Sequence, residues 1–245
     1  MKQLISLLFL CISTIVFSQE TTCYHGDMAT NREKNILPYD LILDLHLKAK
    51  EGKVEGKANY KFSYLRKEID TFFFDAIQFD VTKITINNEV VKYRADSAGI
   101  TVYLPKNRPD DNTMSIDYSC YPNRGMYFLN WNNPNPKSRK QIWTQGQGID
   151  NRHWIPMYDD MNDKFVTETI VTFDKEFKVL SNGDLINKKA KGNDIVWHYK
   201  LNNPHAGYLL MLAIDKFAIK ETKTTKGTPV QFWYYPEHPE KVEPT

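Results

Sequence analysis

Two glutamines separated by one glycine form the most distinctive candidate binding group in this chain. Gln145, Gly146 and Gln147 are followed by Gly148, within the segment W-T-Q-G-Q-G-I-D-N-R-H-W-I-P-M-Y-D-D at residues 143–160. The two glycines leave the backbone with little steric bulk, and each amide side chain both accepts and donates hydrogen bonds. The spacing therefore predicts a binding site for a ligand amine or amide.

A purely structural interpretation of the same segment has equal weight when the residues are taken alone. In that interpretation the two amides hydrogen-bond a loop backbone, while Arg152 and Trp154 pin the loop to a sheet. A plain strand pattern at residues 165–173 follows directly, so the segment is expected to be held at the start of a strand.

Catalytic chemistry is not indicated by any residue pattern in the chain. A zinc peptidase needs two histidines one helical turn apart and a glutamate base, because side chains at i and i+4 converge on one ion. None of the six histidines is followed by glutamate, and no G-x-S-x-G motif occurs. We therefore predict no catalytic residue and no metal ligand in this sequence.

Two further residue groups have mainly structural interpretations. Asp159, Asp160 and Asp163 lack the glycine and terminal glutamate of an EF-hand loop, so we interpret them as a solvated turn. The five tryptophans offer rings on which sugars could stack, but on a β-sandwich such rings more often pack in the core or between strands.

The elements that must position these groups are strands. A strict alternation starts at Tyr39 and places one apolar face on Tyr39, Leu41, Leu43, Leu45 and Leu47. Glu51 and Gly52 predict a turn into a second strand, and Asn87 and Asn88 predict another tight turn. Later strands are predicted at residues 71–74, 81–86, 100–104, 114–118, 165–173, 178–180, 195–201, 208–214 and 230–234, with an irregular crossover loop at 121–140. The fold class is all-β, an antiparallel β-sandwich with an additional curved, saddle-like sheet.

Composition and the chain ends limit the class of protein. The formal net charge of +2 is spread over interspersed charges of both signs, so nucleic acid is not a predicted partner. Residues 1–18 resemble a cleaved signal peptide, which predicts a secreted or periplasmic protein with no transmembrane segment. We expect an N-terminal extension at 19–37, one β domain at 38–236 and a boundary or linker at 237–245.

The mature chain would keep two cysteines, Cys23 and Cys120. One disulfide and two unpaired thiols are equally compatible with the sequence, because spacing alone does not bring the Cα atoms within bonding range.

An ordered set of motifs resembles a known family. T-Q-G-Q is similar to the family's T-Q-x-E or T-Q-x-Q element, and N-R-H-W-I-P is similar to its x-R-x-x-x-P element. P-Y-D-L-I-L-D-L-H-L, V-L-S-N-G and P-H-A-G-Y-L-L-M-L-A-I-D-K-F also resemble family elements, in the same order along the chain. Together they resemble the N-terminal domain of the aminopeptidase N-type (gluzincin) zinc metallopeptidases, which include leukotriene hydrolase. The chain departs from the family pattern at Met157, Gly207 and Asp215, where cysteine, serine and glycine are usual.

The resemblance implies a role in holding a peptide substrate. Gln147 falls where the family accepts a hydrogen bond from the substrate's N-terminal ammonium, and Gln145 falls where a second amide lines the same subsite. The family's zinc would belong to a catalytic domain missing from this chain, so we expect no cofactor in it and no peptide hydrolysis by the chain alone. Two alternatives are a stand-alone periplasmic or surface module that binds peptides or carbohydrates, and a scaffold that docks on another chain.

Overall fold

The computed structural model describes residues 34–66 and 68–242, and strands dominate them. In chain order the strands are β1 (Ile36–Lys48), β2 (Lys53–Tyr64), β3 (Thr71–Asp75), β4 (Asp80–Ile86), β5 (Glu89–Val90), β6 (Tyr93–Ala95), β7 (Gly99–Tyr103), β8 (Asp111–Cys120), β9 (Met126–Leu129), β10 (Gln141–Thr144), β11 (Lys164–Asp174), β12 (Lys178–Ser181), β13 (Asp184–Lys191), β14 (Asp194–Ala206), β15 (Leu212–Asp215), β16 (Ala218–Lys223) and β17 (Pro229–Tyr234). Three short 3-10 helices occupy Asp150–His153, Gly207–Leu209 and Pro239–Val242.

Some sequence predictions fall outside this described part of the chain. They are the signal peptide at 1–18, most of the extension at 19–37, and Cys23. Cys120 is described, and it is a buried thiol whose pKa is raised by its burial. Within residues 34–66 and 68–242, no helix is both long and apolar enough to span a membrane.

The strands form one large sheet and three small ones. The large sheet has the order β13-β14-β11-β1-β2-β8-β4-β5, and the small sheets have the orders β12-β15-β10-β9, β3-β7-β6 and β16-β17. The predicted all-β sandwich is confirmed. One pairing in the large sheet departs from the antiparallel expectation, because β1 and β11 run parallel. A parallel pair needs a long crossover, and here the chain from β2 to the first 3-10 helix supplies it.

β1 shows how the alternating pattern builds the core. Leu41, Leu43 and Leu45 are completely buried, whereas the residues between them face the other side of the sheet. The predicted burial of Tyr39 is wrong: its side chain is 37% exposed. A shift in the β1–β2 register between Pro38 and Asp40 interrupts the period of two, and Tyr39 turns toward solvent.

The turns predicted at Glu51 and Gly52 and at Asn87 and Asn88 are confirmed. β1 and β2 form a hairpin whose turn contains Gly52 at a φ of 66°, a conformation that glycine adopts without a steric penalty. Asn87 and Asn88 both have positive φ and join β4 to β5 as a two-residue hairpin loop. Asparagine is among the residues that tolerate this conformation, which explains the pair.

The core lies between the large sheet and two of the small sheets. Tyr60 of β2 packs on Phe74 of β3 with ring centroids 5.2 Å apart, which joins the large sheet to the three-stranded sheet. The hydroxyl of Tyr199 in β14 donates a 2.6 Å hydrogen bond to the carbonyl of Val179 in β12, which joins the large sheet to the four-stranded sheet. The four-stranded sheet carries the segment with the two glutamines.

Several strands lie where no strand was predicted. The predicted irregular loop at 121–140 contains β9, which pairs with β10, itself also missed. Both strands have only four residues, too few to display a period. β13 was missed because all eight of its residues are exposed, so neither face carries an apolar signal. The strand predicted at 208–214 is a 3-10 helix followed by β15.

Candidate functional site

The two glutamines lie together in solvent at the end of β10. The backbone N–H of Gln145 donates a 2.8 Å hydrogen bond to the carbonyl of Gly125, which continues the β9–β10 pairing by one residue. Both glutamine side chains are exposed, and Nε2 of Gln145 lies 3.5 Å from Oε1 of Gln147. A contact of that length is a weak hydrogen bond, so both carbonyl oxygens keep lone pairs for a ligand.

Gly146 and Gly148 serve different purposes in this loop. Gly146 is buried, and a Cβ there would lie 2.5 Å from the side-chain amide of Asn151. Gly148 has a φ of 85° and open space around the position of a Cβ. Gly146 is therefore required by close packing, and Gly148 by the backbone conformation.

The 3-10 helix that follows brings a buried asparagine beneath the loop. Asn151 is fully buried; its Nδ2 donates to the carbonyl of Gly207 at 2.7 Å, and its Oδ1 accepts from the indole of Trp154 at 2.8 Å. This residue was not singled out from the sequence, because an asparagine beside an arginine in a loop carries no periodic signal. The nearby glycine at 146, inside a polar segment, was the one available hint of a close approach.

Arg152 lies between two buried carboxylates. Its Nη1 is 3.3 Å from Oδ1 of Asp75 in β3, and its Nε is 3.3 Å from Oδ2 of Asp159. The backbone N–H of Arg152 also donates to Oδ2 of Asp159 at 3.1 Å. Burial raises the pKa of Asp159 to about 6, although the adjacent guanidinium opposes this rise.

Two tyrosines of the large sheet fasten the loop through its backbone. The hydroxyl of Tyr118 donates to the carbonyl of Trp154 at 2.9 Å, and the hydroxyl of Tyr60 donates to the carbonyl of Pro156 at 2.7 Å. Met157 then exchanges two backbone hydrogen bonds with Asp75. Arg152 and Trp154 thus pin the loop as the structural interpretation predicted, while the glutamines stay exposed.

The aspartates after this loop are not a solvated turn. Asp159 and Asp163 are 3% and 6% exposed, and Asp163 forms an ion pair with Lys34. Burial raises the pKa of Asp163, and Lys34 opposes the shift. Charged side chains are buried here because each has a cationic partner. Across the described ranges, no group of three or more His, Cys, Asp or Glu residues could hold a metal ion, so these residues do not fit a zinc site.

The five tryptophans do not form one stacking platform. Trp154 and Trp197 are buried. Trp143 of β10 is 39% exposed and stacks on Tyr127 of β9, with ring centroids 4.5 Å apart. This stacked pair lies on the outward face of the four-stranded sheet, across β9 and β10, and β10 ends one residue before Gln145.

A groove of about 910 Å³ opens at the other end of that sheet. Its walls include Trp131, Phe173, Phe177 and the buried Asp215. Asp215 accepts a 2.8 Å hydrogen bond from Nε2 of Gln141, the first residue of β10. Neither of the two predicted site glutamines lines the groove; both lie exposed on the surface loop that follows β10.

The described part of the chain is a β domain in which a large sheet is covered by two small sheets, with an amide-bearing loop at the end of one of them. The family model for the Peptidase M1 N-terminal domain matches residues 35–209. The chain belongs to this family, and the resemblance inferred from its motifs is confirmed.

Relatives of known name agree with this assignment. The leucyl aminopeptidase of Saccharolobus solfataricus is 22% identical over 183 residues, and the probable aminopeptidase 1 of Sulfurisphaera tokodaii is 24% identical over 191 residues. The matches cover 73% and 75% of this chain but only 22% of each relative. The chain thus spans about a fifth of the length of these curated relatives.

Solved structures share the fold. A mutant M1 zinc metallopeptidase from Deinococcus radiodurans, bound to a Tyr-Ser-Ala substrate, superposes with a TM-score of 0.67 and 13% identity, over 81% of this chain and 47% of that one. Yeast LTA4 hydrolase superposes with a TM-score of 0.70 and 14% identity, over 83% of this chain and 32% of that one.

Two departures from the family pattern contact each other. A Cβ at Gly207 would lie 2.3 Å from Cε of Met157. The methionine side chain therefore occupies the space that a side chain at position 207 would need.

Proposed function

We propose that this chain is a substrate-anchoring domain of an M1 aminopeptidase, and that Gln145 and Gln147 accept hydrogen bonds from the free N-terminal amine of a peptide. The observation that carries the proposal is the position of the two amides. Both are exposed, close to each other, and held on a loop whose backbone is fixed from behind. A hydrogen bond to a charged ammonium contributes about 1.5–3 kcal/mol, which suits a subsite that selects peptide ends.

The catalytic residues and the zinc are proposed to belong to a domain outside these 245 residues, since the sequence has no H-E-x-x-H motif. The outward face of the four-stranded sheet is a suitable surface for docking that domain. Its central row consists of Leu180, Ala213, Trp143 and Tyr127, which are neighbours in the strand register. Trp143 of this row lies two residues before Gln145, so a domain docked there would lie beside the two amides.

The proposal also places the protein outside the cytoplasm. Its support is the apolar run and small residues of the first 18 positions, which are typical of a cleaved signal peptide. Under this proposal, the exported protein should begin at Gln19, which N-terminal sequencing would test.

Binding of Tyr-Ser-Ala to the purified chain tests the anchoring role, because this peptide has a free amine and is bound by the Deinococcus enzyme. The peptide should perturb the side-chain amide NMR signals of both glutamines, and N-acetylation should abolish the effect. Gln147→Ala should weaken binding, whereas Gln231→Ala, an exposed glutamine on β17, should not. Equal binding of the acetylated peptide would overturn the proposal.

A second measurement concerns activity. The chain alone should not hydrolyse aminoacyl chromogenic substrates, even with added zinc. Turnover that persists through purification and disappears in Gln147→Ala would contradict the assignment of catalysis to another domain.

A further inference from the structure

The contact between Asn151 and Gly146 is a close approach of a side chain to a backbone. An ideal Cβ on Gly146 would lie 2.5 Å from both Nδ2 and Oδ1 of Asn151, and 2.6 Å from its Cγ. The glycine Cα therefore rests against the flat side of the amide group. The contact is placed between the two glutamines, so it supports the middle of the loop that carries them.

Asn151 is itself held from several sides. Its Nδ2 donates to the carbonyl of Gly207 at 2.7 Å and points to the carbonyl of Leu210 at 3.4 Å. Its Oδ1 accepts from the indole N–H of Trp154 at 2.8 Å. A fully buried amide with its donors and acceptor occupied has little rotational freedom, and it presents a rigid surface to the loop.

We infer that Asn151 is a positioning residue for Gln145 and Gln147: its amide supports Gly146 and ties the loop to the 3-10 helix at Gly207–Leu209. The functional meaning of this inference rests on the proposed amine-binding role of the glutamines. Gly146 and Asn151 occupy the variable x positions of the T-Q-x-Q and x-R-x-x-x-P elements. Neither residue is one of the motif residues that carry the family resemblance.

Order in the loop gives a test that needs no ligand. In the ¹⁵N-labelled chain, backbone order parameters at residues 145–148 should be near 0.85, and in Asn151→Ala they should fall below about 0.6. Asn182→Ala is the matched control. Asn182 donates to the carbonyl of Leu209 at 3.0 Å and accepts from the N–H of Met211 at 2.6 Å, so it holds the same region by similar bonds. Neither of these bonds reaches Gly146, so the loss of Asn182 should leave the loop ordered.

The inference is overturned if Asn151→Ala leaves residues 145–148 ordered. It is also overturned if Asn182→Ala disorders them to the same extent, because a general loosening of the region would then be the cause.

Amine selectivity gives the second readout. The ratio of the affinities for Tyr-Ser-Ala and its N-acetylated form should fall at least about tenfold in Asn151→Ala, which corresponds to 1.4 kcal/mol. A smaller folded fraction would lower the apparent affinity for both peptides by the same factor and leave the ratio unchanged. A wild-type chain without amine preference would refute the proposed function, while the order parameters would still decide the role of Asn151. A wild-type preference that survives in Asn151→Ala would refute the positioning role alone.

A double variant tests the contact between Gly146 and Asn151 even if Asn151→Ala lowers the stability of the chain. Gly146→Ala should lower the melting temperature of the wild-type chain, because its methyl group collides with the Asn151 amide. In the Asn151→Ala background the same methyl group enters vacated space and should cause no further loss. Equal losses in both backgrounds would show that the two residues are not coupled, and would overturn the inference.

Discussion

Asp159 should make the stability of this protein fall as the pH rises through the mildly acidic range. Its carboxyl is 3% exposed, and burial raises its pKa from 3.8 to about 6. Between these two pKa values the folded chain binds a proton that the unfolded chain has released. Stability therefore decreases by about 1.4 kcal/mol per pH unit well inside that window and levels off above a pH of about 6.

The magnitude follows from the two pKa values. Between about pH 5 and about pH 7, the contribution of Asp159 to the unfolding free energy should drop by about 1.3 kcal/mol. Asp159→Asn removes this titration. The unfolding free energy of the wild type minus that of the variant should therefore fall by that amount over this pH range. Arg152 and Asp75 are the charged groups that face this carboxyl, and they remain in both proteins.

Urea unfolding followed by tryptophan fluorescence provides the measurement, with the pH varied at fixed ionic strength. Glu176→Gln is the control, because Glu176 is exposed and its pKa is lowered by Lys216. A lowered carboxyl pKa changes the pH dependence of stability only below about pH 5. Above that pH, the unfolding free energy of the control should vary with pH in the same way as that of the wild type. Parallel profiles for wild type and Asp159→Asn would refute the reasoning.

Three further outcomes follow from the contacts. Gly207→Ala should cost less unfolding free energy than the roughly 1–3 kcal/mol usual for overpacking, because Cε is the flexible end of Met157, and the cost should be smaller still in a Met157→Cys background, where the shorter side chain removes the collision. Tyr118→Phe should cost about 1–3 kcal/mol by leaving the buried carbonyl of Trp154 without its donor, measured by the same unfolding assay. Gln147→Glu should bind a free-amine peptide about fivefold more tightly, because a full charge about 4 Å away adds about 1 kcal/mol in water; unchanged affinity in a titration would contradict this.

The fold was predictable wherever one face of a strand is buried. β1 and β2 carry alternating apolar residues, and both strands and their turn were predicted. The register shift at Tyr39 was not, because a bulge changes the pairing without changing the residue pattern. β13 escaped prediction for the opposite reason: it is an exposed edge strand, rich in lysine, and such edges resist further pairing through their charge.

The site was predictable in part. Gln145 and Gln147 were expected on one loop, and they lie there with their amides close together. Their support was not predictable, because Asn151 meets Gly146 only after the chain has folded back over the first 3-10 helix. The burial of Asp159 was also hidden, since its partners Asp75 and Arg152 come from separate parts of the chain.

The hydroxyl bond from Tyr118 makes the position of the loop depend on a residue in a distant strand. Gly56 of β2 is paired with Tyr118, and a Cβ there would lie 2.4 Å from the tyrosine ring. The ring crosses the sheet over this glycine to reach the carbonyl of Trp154. A single methyl group at position 56 would displace the ring, and with it the anchor of a loop almost a hundred residues further along the chain. The shape of the exposed amide surface is therefore set in part from the second strand of the protein.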